Sequence, residues 1–202
     1  MIEINRIIIS KFQENCYIVN RPGSLKCLLI DPGHNFNRIN TILSEKNLTV
    51  SAILLTHCHI DHCNIVHMFS GVPIYCSKNE LKQIDYNNSQ SSLFGIKPNK
   101  FVPTNLLSDG DEFTIDDILI KAIETPGHTF GSTCYLIEDY LFSGDTLFES
   151  NIGRTDLFGG DFMTLISSIK DKLLVLPKDI VVLPGHGEST TIYNEQNLLD
   201  RF

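Results

Sequence analysis

The sequence predicts an α/β protein built in layers. Short apolar runs bounded by turn residues read as strands, and stretches with apolar residues at helical spacing read as helices. Strands and helices also recur in comparable order in the two halves, as in a pseudo-duplicated sandwich. The 202 residues suit one domain spanning 1–202, long enough to bury a substantial core.

The elements follow in order. Ile2 to Ile9 is rich in isoleucine, Cys16-Tyr17-Ile18-Val19 follows, and Leu25 to Ile30 is almost wholly apolar. Arg21-Pro22-Gly23-Ser24 predicts a hairpin between the last two. Asp31-Pro32-Gly33 ends the third strand, and Phe36, Ile39, Ile42 and Leu43 predict a helix with Asn47 at its C-terminal end. Ala52 to Leu55 is a short buried strand. Ile65, Val66 and Phe69 give an apolar face to a helix starting near Asp61 or His62 and carrying His67. Pro73 to Cys76 is the next strand.

Residues 77–100 read as a polar loop or irregular cover, with Tyr86, Leu93 and Phe94 either lining a pocket or packing on the body. Strands return at Glu112 to Ile115, Ile118 to Ile123, Thr133 to Ile137 and Leu141-Phe142. Asp116-Asp117 and Glu138-Asp139-Tyr140 supply turns. Phe162, Leu165, Ile166, Ile169 and Leu173 mark an amphipathic helix capped by Asp161. Ile180 to Leu183 is a last strand, and Ser189 to Leu199 is expected to form a closing helix.

Composition narrows the function. A net charge of -8 with no basic run argues against a protein that grips nucleic acid through its phosphates. No apolar run approaches the roughly 20 residues that span a bilayer. The N-terminus lacks the pattern of an export signal, so the cytoplasm is expected. The six cysteines form no C-x-x-C pair. Cys16, Cys27, Cys76 and Cys134 suit a core, while Cys58 and Cys63 interleave with histidines and are weighed as metal ligands.

Thr56-His57-Cys58-His59-Ile60-Asp61-His62 is the densest chemical signal, placing three imidazoles and a carboxylate directly after a strand. These groups bind Zn²⁺, Fe²⁺ and Mn²⁺, and a loop can turn His57 and His59 one way and Asp61 and His62 another. Three further polar points follow strands: Gly127-His128-Thr129-Phe130-Gly131-Ser132, Ser143-Gly144-Asp145-Thr146 and Pro184-Gly185-His186-Gly187. Each sets one ligand among small residues, where the backbone can turn tightly. Thr56, Ser132 and Thr146 are candidates to orient the imidazoles.

This series resembles the ligand series of the metallo-β-lactamase-fold hydrolases. Together with Asp31-Pro32-Gly33 and Gly153-Arg154-Thr155-Asp156, it resembles the compact, single-domain bacterial members of the glyoxalase II-like branch. The resemblance implies a four-layer αββα sandwich with two divalent metal ions at one edge, zinc with iron or manganese as alternatives. His57, His59 and His128 would take the first ion, Asp61, His62 and His186 the second, and Asp145 would bridge them. A water activated between the ions would attack an acyl carbon, with Asp61 orienting it as a catalytic residue. Arg154 would hold a substrate carboxylate or pair with Asp156. The implied activity is a thioesterase cleaving small hydroxyacyl-thiol esters such as S-lactoylglutathione. The alternatives are a mononuclear iron persulfide dioxygenase using His57, His128 and Asp145, and a metal-dependent phosphodiesterase.

Overall fold

A computed structural model describes residues 1–8, 13–90 and 101–202. Two six-stranded sheets form the centre. The first runs β1 (Glu3–Ile8), β2 (Asn15–Asn20), β3 (Lys26–Ile30), β4 (Thr49–Leu54), β5 (Ile74–Ser77), β6 (Asn105–Leu107) in spatial order. β1 to β3 pair antiparallel and β3 to β6 parallel. The change falls where α1 (Phe36–Glu45) crosses between β3 and β4, since a parallel pair needs such a connection.

The second sheet holds β7 (Glu112–Ile115), β8 (Ile118–Glu124), β9 (Thr133–Ile137), β10 (Tyr140–Gly144), β13 (Val181–Pro184) and β14 (Thr190–Thr191), ordered β14-β13-β10-β9-β8-β7. Its only parallel pair among the described residues is β10 with β13, joined through α4 (Phe162–Ser168). A small ribbon, β11 (Leu147–Phe148) with β12 (Asn151–Ile152), projects between them in sequence.

Side-chain alternation turns these sheets into four layers. In β3, Cys27 and Leu29 point to one face and Leu28 and Ile30 to the other. The first pair joins Ile39 and Leu43 of α1 and Ile84 of α3 (Leu81–Gln90) in one core. The second joins Tyr17, Ile120, Tyr135 and Phe142 between the sheets. Beyond the second sheet, Cys134, Leu141 and Val182 meet Leu165, Ile169 and Leu173 along α4 and its continuation. Helix, sheet, sheet and helix stack as the αββα order predicts. All six cysteines are buried and none forms a disulfide.

The hairpin turn forms at Gly23 in a left-handed conformation, and Asn47 adopts the same conformation just past α1. Asp161 caps α4, its carboxylate accepting from Thr164 N at 2.8 Å.

Three expectations require correction. The helix read from Asp61 to Phe69 is one turn, α2 (Ile60–Cys63), followed by a separate 3₁₀ turn at Val66–Met68 that carries His67. Ile65, at φ -102°, interrupts the ladder. The expected loop at 77–100 contains a 3₁₀ turn at Lys78–Glu80 and helix α3. Ile84 buries itself in the core there, and Gln83 Nε2 donates to Asn87 Oδ1 at 3.0 Å one turn on. Ser91, Ser92, Leu93, Phe94 and Ile9 lie outside the described residues. The expected closing helix is strand β14, turns and a 3₁₀ turn at Leu198–Arg201. The buried Glu195 carboxylate accepts from Thr190 Oγ1 at 2.7 Å and Ser150 N at 3.1 Å, tying the segment down by side-chain bonds in place of a helical ladder.

Candidate metal centre

Every predicted ligand leaves the carboxyl end of a strand at one edge of the sandwich. His57 to His62 follow β4, His128 follows β8, Asp145 follows β10 and His186 follows β13. The sheets anchor one another's loops. From β2, Tyr17 Oη donates to Pro184 O at 2.7 Å, and Asn15 Nδ2 donates to Pro184 O and Gly187 O at 2.9 Å each. From β9, Tyr135 Oη donates to Leu55 O at 2.8 Å, and Thr133 N donates to Thr56 O at 2.8 Å.

Two groups of ligand atoms result, His57 with His59 and His128, and Asp61 with His62 and His186, the atoms of each group lying within 4.8 Å of one another. Asp145 stands between them: Oδ1 is 3.5 Å from His62 Nε2, and Oδ2 is 3.6 Å from His128 Nε2 and 3.7 Å from His186 Nε2. Gly185 makes room, since a Cβ there would lie 2.4 Å from Asp145 Oδ1 and 2.7 Å from His62 Cε1.

The other ring nitrogens are held. His128 Nδ1 donates to Arg154 O at 2.7 Å. Asp31 Oδ2 accepts from His62 Nδ1 at 3.1 Å and from Thr56 Oγ1 at 2.6 Å, while Thr56 Oγ1 accepts from His57 Nδ1 at 3.1 Å. Thr56 N closes the unit on Asp31 Oδ1 at 2.8 Å. With Nδ1 protonated, the Nε2 lone pairs of these three rings face inward. His57 Nε2, His128 Nε2 and Asp145 Oδ1 are buried without a hydrogen-bond partner, the state expected of atoms built to ligate a cation. The donor set and these orphaned atoms fit divalent metal ions.

Asp31 also groups with His57 and His62. Its oxygens are already occupied by the hydrogen bonds above, so it orients rings and does not form a third ion site.

Burial holds the His57 and His128 rings below the ordinary histidine range and His59 at about 3. Burial also works against a charge on His62, but the carboxylates of Asp145, Asp31 and Asp61 outweigh it and raise its pKa. The Asp61 carboxyl is penalised by burial, yet His186 and His62 carry it below its usual range.

Residues 9–186 match the Metallo-beta-lactamase superfamily. The chain belongs to that superfamily. It is 38% identical over 200 residues to the probable metallo-hydrolase YqgX of Bacillus subtilis, covering 95% of this chain and 93% of that one. It is 35% identical over 203 residues to the hydroxyacylglutathione hydrolase GloC of Haemophilus influenzae, covering 96% and 94%, which supports the glyoxalase II-like branch. The solved structure of BLEG-1 B3 metallo-beta-lactamase superimposes with a TM-score of 0.86 at 36% identity, covering 96% of this chain and 97% of that one.

Within this metallo-β-lactamase-superfamily site, some sequence expectations land elsewhere. Of the three proposed orienting hydroxyls, Thr56 meets a ring; Ser132 Oγ bonds Thr129 Oγ1 at 2.7 Å and Thr146 Oγ1 bonds Thr125 Oγ1 at 2.8 Å. Cys63 Sγ turns back to His59 O at 3.3 Å, and Cys58 is buried in the core behind the loop. Arg154 contributes its carbonyl to His128, and its exposed guanidinium forms a bidentate pair with Asp156 at 2.7 Å. Tyr86 stacks on Phe158 with centroids 4.1 Å apart.

Two carboxylates went unassigned in the sequence. Asp31 is one, although its Asp-Pro-Gly setting at a strand end marked it. Glu80, wholly buried, is the other: nothing in Lys78-Asn79-Glu80 separates it from surface acids.

Proposed function

We propose that the protein is a dinuclear metal-dependent thioester hydrolase of the glyoxalase II type, acting in the cytoplasm on small hydroxyacyl-thiol esters such as S-lactoylglutathione. The observation that carries this is the Asp145 carboxylate lying between two three-residue ligand groups. The similarity to a hydroxyacylglutathione hydrolase over nearly the whole chain supports the substrate class. Six buried cysteines that form no disulfide support a reducing compartment.

His57, His59 and His128 would hold one ion, Asp61, His62 and His186 the other, with Asp145 shared. Two divalent ions, zinc, iron or manganese, supply a water of lowered pKa and polarise a carbonyl. The protein's own part is placement. Asp61 would accept a hydrogen bond from the attacking water and fix its direction. Asp31, Thr56 and the Arg154 carbonyl fix three rings in the tautomer that presents Nε2. Arg154 exchanges Asp156 for a carboxylate of the substrate. A thiolate leaves readily, so no strong general acid is required.

The test is thiol release from S-lactoylglutathione by protein whose metal content has been measured per chain. About two ions with thioester cleavage is the expected result. Two ions without cleavage of any hydroxyacyl thioester overturns the substrate class. One iron per chain with oxygen uptake on a persulfide overturns the hydrolase.

A further inference from the structure

We infer that Glu80 is a positioning residue that selectively builds the His57/His59/His128 half of the centre by holding two ligand loops on one buried carboxylate. Glu80 Oε2 accepts from Cys58 N at 2.7 Å, and Oε1 accepts from Thr129 Oγ1 at 2.6 Å and Gly131 N at 2.9 Å. The first bond fixes the peptide joining His57 to Cys58. The other two fix the residues just after His128. One side chain from the turn between β5 and α3 thus spans both loops that supply this ligand group.

Two observations strengthen the assignment. Asn87 Nδ2, one turn from Gln83 on α3, donates to Cys58 O and so holds the peptide joining Cys58 to His59. Cys58, the single residue between the two histidines, is gripped at both its N–H and its C=O. The His128 loop also presses directly on the Glu80 turn: a Cβ at Gly131 would lie 2.8 Å from Glu80 N and 2.8 Å from Ser77 Oγ. The carboxylate accepts three donors, which offset part of the cost of burying it, though burial still raises its pKa. The other ligand group is oriented by a different acid, Asp31, bonded directly to His62. Asp31 also reaches His57 through Thr56, whereas the bonds of Glu80 go to the two loops of the His57/His59/His128 half.

The inference rests on His57, His59 and His128 forming one ligand group, and the experiment separates the two ideas. Zinc affinity is measured by chelator competition, without substrate, for Glu80→Gln placed in a His186→Ala chain and in a His59→Ala chain. Glutamine keeps the shape but turns an N–H₂ toward an N–H or O–H donor. In the His186→Ala chain, zinc affinity is expected to fall at least about tenfold. In the His59→Ala chain it is expected to stay within about twofold, by the same reasoning that assigns Glu80 to one half only.

Equal losses in both chains would reduce Glu80 to general fold support and overturn the inference, as would no loss in the His186→Ala chain. Failure of the His186→Ala chain itself to bind zinc would overturn the ligand group and the inference with it. Should Glu80→Gln not fold, Thr129→Val removes one of the three bonds and must give a smaller loss with the same asymmetry.

Discussion

Asp31 and His62 form one buried unit, with Asp31 Oδ2 accepting from His62 Nδ1 at 3.1 Å and both side chains shut off from solvent. Through Thr56 the same carboxylate reaches His57. Asp31→Asn keeps the shape and loses the charge, and its N–H₂ opposes donors. Affinity for the Asp61/His62/His186 ion should fall about 10- to 100-fold. Stability should drop by about 1–3 kcal/mol for the buried bonds lost. Chelator competition and denaturant unfolding measure the two effects.

His59→Ala removes a partly buried predicted ligand that lies outside the apolar core. Thioester hydrolysis should fall to background while the circular dichroism spectrum stays that of the parent. Full activity in this variant would remove the two-ion centre from consideration.

Acid should empty the two halves in sequence. Burial keeps His57, His59 and His128 neutral at pH 7, so an ion there displaces no proton from them. His62, raised by three carboxylates, carries a proton in the ion-free chain and must release it on loading. The Asp61/His62/His186 half should therefore lose its ion first as the pH falls, and loading at pH 7 should liberate a proton that a weakly buffered indicator detects. In the ion-free chain the sign reverses. A raised His62 pKa stabilises the fold fully below the unfolded value of about 6.5, and that contribution is lost as pH climbs through the folded value. Unfolding of chelated protein across this range tests the point.

Tyr135→Phe deletes the bond from the second sheet to Leu55 O, just before the histidine loop. Leaving that carbonyl buried and unpaired should cost about 1–3 kcal/mol. Differential scanning calorimetry should show the lower melting temperature, with a smaller effect on metal content than any ligand variant.

The strands and the ligands were legible in the sequence for different reasons. Cys27-Leu28-Leu29-Ile30 and Ile118 to Ile123 announce themselves by apolar content and bounding turns. His57 to His62 crowd ligands beyond what a surface loop carries. Asn87-Asn88-Ser89-Gln90 reads as a loop because helix α3 owes its form to Ile84 in the core and Asn87 on Cys58, contacts distant in sequence. The segment Ser189 to Leu199 departs from its expected helix in the opposite way: Thr190 and Ile192 are buried in strand pairing and turns fixed by Glu195. Glu80 acts only through partners brought close by folding and has no local signature, whereas Asp31 is marked locally by its Asp-Pro-Gly setting but not by its partners.

The reciprocal grip of β2 on the His186 loop and of β9 on the His57 loop means that neither half of the chain contains a finished centre. A nascent chain emerging from the ribosome presents the histidine cluster long before His186 exists to complete it. High-affinity capture of a cation is thereby postponed until the sheets have docked. An ion held there would work as a clasp across the open end of the sandwich and as a seal on correct assembly, since a chain that has misfolded its second sheet would have no means of closing it.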